Sequence, residues 1–87
     1  MAQQSVDPMA LIHQIAATGL NVGDIDHDAV EQFIAGVSDD VPTAGLIKAR
    51  DNMIAMIQRR EKARGTNLPT MAATAARLND IIIEREV

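Results

Sequence analysis

The chain contains no cysteine, tryptophan or tyrosine, and its one aromatic residue is Phe33. Without cysteine there is no disulfide scaffold, thiolate zinc centre, iron–sulfur cluster or thiol nucleophile. A single ring offers no stacking platform for nucleic-acid bases and no belt at a membrane interface. No apolar run reaches the roughly 18 residues a bilayer-spanning helix needs. Residues 1–8 carry neither a basic nor an apolar segment, so no signal peptide is expected. On these grounds the expected location is the cytoplasm, or a particle assembled there.

Cations are missing from the first half of the chain. Residues 1–42 contain seven carboxylates and no Lys or Arg, whereas residues 43–87 hold all eight cations against five carboxylates. The net charge of −4 is therefore the sum of a strongly acidic half and a mildly basic one. Such a division orients partners and can be satisfied within one fold or between copies.

Apolar residues make up 47% of the 87, but alanine is the commonest of them. Ten Ile, five Leu, five Met and six Val supply most of the larger apolar volume. A chain of this size buries only about 60–65% of its unfolded surface alone. A thin core with no disulfide favours association with something else.

The periodicity is helical throughout. Asp7-Pro8 has the form of an N-cap followed by proline at the first helical position. Met9, Ile12, Ile15 and Ala16 continue at helical spacing, and Gly19 is the expected left-handed stop, placing a helix over 8–18. Asp26 or Asp28 starts a second over 27–38, with Val30, Phe33, Ile34 and Val37 as its buried stripe. Asp28 and Glu31 have the spacing of a capping box. A third helix is expected from Thr43 to Arg64, capped by Gly65, with its terminal cations facing the negative end of the helix dipole. A fourth follows over 69–85, with Met71, Ala75, Leu78 and Ile82 along one face and small alanines permitting close approach.

The expected fold is therefore all-α. It is a small helical bundle built on an antiparallel hairpin (43–64 and 69–85) with two shorter N-terminal helices. Residues 1–6 are expected to form a flexible arm and 7–87 a single helical domain. Leu46, Met53, Ile57, Met71, Ala75, Leu78 and Ile82 hold the hairpin. Ile47, Ile54, Ile81 and Ile83 are the candidate interface residues beyond it, because the run 81–83 spans about 300° of a helix and cannot face one neighbour.

Reactive constellations are few. Asp24-Ile25-Asp26-His27-Asp28 places carboxylates like the opening of a calcium loop, but Ala29, Glu31 and Ala35 stand where that loop needs glycine, an apolar residue and glutamate. Helix capping accounts for the segment instead. His13 and His27 share no metal-binding spacing, and no catalytic triad or phosphate-binding glycine loop is present. No cofactor, metal, small-molecule substrate or enzymatic activity is expected. Arg59, Arg60, Lys62 and Arg64 form a basic cluster, with Lys48 and Arg50 upstream. Its natural counterpart is acidic, and Asp24, Asp26 and Asp28 supply one, in the same chain or in a neighbouring copy. Met53, Met56 and Met71 have side chains suited to filling core gaps or to an adaptable interface.

These features point to a non-catalytic assembly or adaptor protein that works through helical surfaces. Its expected partner is itself or a larger protein assembly, as a homo-oligomeric subunit of a viral or secretion-type ring or filament. The alternative is a small regulator or inhibitor docking on a larger protein, or less readily on nucleic acid, through the Lys48–Arg64 basic face. No membrane insertion is expected.

Overall fold

The Asp7 carboxylate accepts a hydrogen bond from the Met9 amide at 3.1 Å and opens α1, Pro8–Val22. In the computed structural model, which describes residues 7–37 and 39–86, three further helices follow: α2, His27–Ala35, α3, Thr43–Gln58, and α4, Leu68–Glu86. No strand occurs among the described residues. The arm expected over residues 1–6 lies outside them, as does Ser38, where α2 was expected to end.

Helix α4 is the centre of the bundle, and α1, α2 and α3 all pack on it. The α3–α4 hairpin has the expected antiparallel register. Leu46 meets Leu78 and Ile82 near one end, and Ile54 and Ile57 pack with Met71, Ala72 and Ala75 near the other. Ala72 and Ala75 are fully buried, and their small side chains let α1 lay Ile12 into the same cluster. Transfer of these side chains out of water is the main stabilising term.

The helix ends depart from expectation at three places. Gly19 does not stop α1. It is a buried residue inside the helix, and Gly23 takes the left-handed conformation (φ 74°) one turn later, with the Asp24 amide bonded to the Gly19 carbonyl at 2.8 Å. The reason is contact: a Cβ on Gly19 would collide with the Pro69 ring and lie 2.8 Å from Ile25 Cγ1. Helix α2 closes at Ala35, because the Gly36 and Val37 amides bond back to Phe33 and Ile34 in a tightened last turn. Asp26, not Asp28, is its cap, accepting from the Ala29 amide at 3.0 Å.

The third departure is the largest. Helix α3 ends at Gln58 rather than Arg64, because Arg60 adopts the left-handed conformation (φ 57°). The Arg60 amide bonds to the Ile57 carbonyl at 3.0 Å and the Glu61 amide to Met56 at 2.8 Å, the two bonds of a Schellman termination. Gly65, the expected cap, lies in the link instead, also with positive φ. A side chain in the left-handed region costs about 1 kcal/mol or more. Arg60→Gly should therefore raise stability by about 1 kcal/mol, read as a higher urea midpoint at unchanged slope; a lower midpoint would show that the arginine side chain outweighs the strain.

The return into α4 is held by Asn67. Its side chain accepts from the Thr70 amide at 2.8 Å and donates to the Asp24 carbonyl at 2.7 Å. The Thr70 hydroxyl in turn accepts from the Asp26 amide at 2.9 Å. These bonds pin the start of α2 to the start of α4. Among the described residues no buried side-chain polar atom lacks a partner, and no helix is long and apolar enough to cross a membrane.

Candidate functional site

Pinning α2 at its N-terminus decides which face it buries. Val30 is turned into the core and Ile34 packs, half-buried, on the Leu46–Leu78–Ile82 cluster. Phe33, about 100° round the helix from Ile34, misses the core and remains 44% exposed. It was expected in the buried stripe. Among the described helices α2 packs on α4 alone, so one face is covered and both residues cannot turn inward.

The consequence is an apolar trough. Among the described residues α2 makes its helix contact with α4 and stands off from α3, leaving a channel whose walls are α2 and α3 and whose floor is α4. It comprises two hollows. The first, about 360 Å³, lies between Phe33 and Met53, Met56 and Met71, and ends at Ala63 and Thr66 in the α3–α4 link. The second, about 420 Å³, lies over Leu46 and Leu78 and ends at Val41. Phe33 and Ala49 line both, so Phe33 stands on the rim midway along. Of the three methionines Met71 is buried, while Met53 and Met56 are half-buried on the wall. A further hollow of about 560 Å³ between α1 and the end of α3 is lined in part by Gln14, Thr18, Gln58 and Arg60, and is more polar.

The candidate interface isoleucines have different surroundings. Ile54 is buried in the cluster with Ile12. Ile47 and Ile81 are half-buried against Leu46, Leu78 and Ile82. Ile83 is 52% exposed. Leu20 and Val22, at the end of α1 and not singled out by their spacing, are more exposed still, at 62% and 61%.

Some of the charged candidates adjoin lining residues at one end of the trough. Asp24, Asp26 and Asp28 lead into α2 beside Ala29, on one bank. Arg59, Arg60, Lys62 and Arg64 are all exposed; Lys62 and Arg64 flank Ala63, which lines the trough, whereas Arg60 lines the hollow against α1. Arg59 is paired with Glu61. Among the described residues no ion pair joins Asp24, Asp26 or Asp28 to Arg60, Lys62 or Arg64. The cation that reaches α2 comes instead from α4: Arg77 pairs with Glu31, whose hydrogen bond and negative charge hold the arginine pKa above its usual value. Arg50 turns to Asn79 at 2.8 Å and to Asp51, and α3 ends before Arg59. Lys48 and the 59–64 cations therefore do not share one helical face.

Among the described residues no three His, Asp or Glu side chains gather in a way that would hold a metal ion. His13 and His27 are exposed and on different helices. No protein-family model, curated protein or solved structure matches the chain.

Proposed function

We propose that this is a non-catalytic assembly or adaptor protein acting through its helical surfaces, as a homo-oligomeric subunit of a larger particle. The observation that carries this reading is the open trough between α2 and α3, with an aromatic side chain on its rim. An 87-residue chain has little apolar surface to spare, yet here the walls of a two-hollow channel are left in water. Covering them would recover about 25 cal/mol for each Å² removed from solvent.

A ring or filament, viral or secretion-type and assembled in the cytoplasm, suits the remaining exposed apolar residues. Gly19 lies against Pro69, so α1 runs antiparallel to α4 and brings Leu20 and Val22 to its start, whereas Ile83 lies near its end. Apolar spots at opposite ends permit head-to-tail contacts.

Light scattering on the purified chain over a range of concentrations tests the reading. The mean mass should rise above 9.4 kDa as concentration increases; a constant monomer mass would remove self-assembly. The alternative, a regulator docking through basic residues, draws support from the exposure of Arg59, Arg60, Lys62 and Arg64 on an irregular link. Replacing Arg59 and Arg60 by Glu should abolish capture of an acidic protein or a nucleic-acid probe if that route operates, and leave it unchanged if it does not.

A further inference from the structure

We infer that the trough is occupied by a second copy of this chain, related by a two-fold axis running along it. This rests on the self-assembly reading above and specifies the surface and the partner.

The first argument is charge. At the end near Ala63 the exposed residues next to the lining are of opposite sign: Asp24, Asp26 and Asp28 lead into Ala29 of α2, and Lys62 and Arg64 flank Ala63 on the α3–α4 link. No ion pair joins these groups across the groove among the described residues. A two-fold axis along the trough exchanges its banks. It lays the acidic bank of each copy over the basic bank of the other, and does so twice, because a two-fold interface repeats every contact. An unrelated acidic helix would match only one bank and oppose the other.

The second argument is shape. Phe33 projects from the α2 bank midway along the channel, lining both hollows. The same exchange of banks brings it over the partner's α3 bank, built from Ala49, Met53 and Met56. Small alanine leaves room there and flexible methionine adapts to the ring. An aromatic side chain seated in a pocket of the partner is the usual anchor of such an interface.

Reversal of charge tests this directly. Asp26 caps α2, Arg59 is paired with Glu61 and Arg60 terminates α3, so the substitutions avoid all three. The double variants D24K/D28K and K62E/R64E, and the quadruple variant carrying both pairs, would be compared with the unmodified chain by sedimentation equilibrium, with thermal melts at low concentration to verify folding. Each double reversal should weaken dimerisation roughly tenfold or more, since symmetry counts every change twice. The quadruple variant should return to near the original affinity. F33S should weaken the dimer while sparing the monomer fold.

Association of the unmodified chain that is indifferent to all four variants would overturn this interface and leave self-assembly standing on other surfaces. Loss in both double variants without recovery in the quadruple one would overturn the bank-on-bank arrangement. A monomer at every concentration would overturn both this inference and the reading on which it rests.

Discussion

Truncation of Ile12 to alanine should lower the thermal midpoint by roughly 10–40 °C. Ile12 is fully buried, in one cluster with Ile54 and Ile57 of α3 and Met71, Ala72 and Ala75 of α4. It is the one large side chain that α1 buries completely; the other buried residue of that helix is Gly19. Removing three carbons from such a position costs about 2–5 kcal/mol in lost transfer energy and residual cavity. In a domain of this size each kcal/mol shifts the midpoint by about 4–8 °C. Ile83→Ala is the control. That side chain is half exposed near the end of α4, so at low concentration the melt should hardly move. Circular dichroism melts of the two variants side by side provide the test, and equal effects would mean that α1 is not part of the cooperative unit.

The second large effect is a contrast of sign between two helical glycines. Alanine is the better helix former by about 1 kcal/mol, so both Gly19→Ala and Gly45→Ala would be stabilising on propensity alone. Gly45 conforms: a Cβ there meets Val41 Cγ1 at an ordinary 3.8 Å, and stability should rise by about 0.5–1 kcal/mol. At Gly19 the same methyl group strikes the Pro69 ring and approaches Ile25 Cγ1 to 2.8 Å. Proline has no rotamer by which to retreat, and Pro69 sits in the first turn of α4. The two helices must separate, at a net cost of about 1–3 kcal/mol. Denaturant midpoints at constant slope measure both changes. A stabilised Gly19→Ala would show that α1 and α4 do not approach so closely.

The hairpin was legible because its signal is repeated many times. Met71, Ala75, Leu78 and Ile82 recur at helical spacing and are each no more than 2% exposed; an error at one position would not have hidden the stripe. The start of α1 was equally plain, since Asp7 and Pro8 perform local roles that require no distant residue. The charged candidates could be named from the sequence, but that Asp28 and the segment around Ala63 adjoin the lining of one groove could not. Asn67 and Thr70, which bring those segments together, belong to that same missed information. Asn67 has the character of a helix cap, and nothing in its own segment announces its bond to Asp24, 43 residues away.

Period and composition alone established an all-helical chain, the α3–α4 pairing and the separation of charge along it, because each depends on neighbours within a few turns. Packing between distant segments decided the rest. It chose Gly23 over Gly19 as the end of α1, since Gly19 is needed against Pro69. It pinned the start of α2 to the start of α4 and left Phe33 at the rim of a trough. Those outcomes depend on which backbones can approach one another, and that distance is a property of the assembled bundle rather than of any single helix.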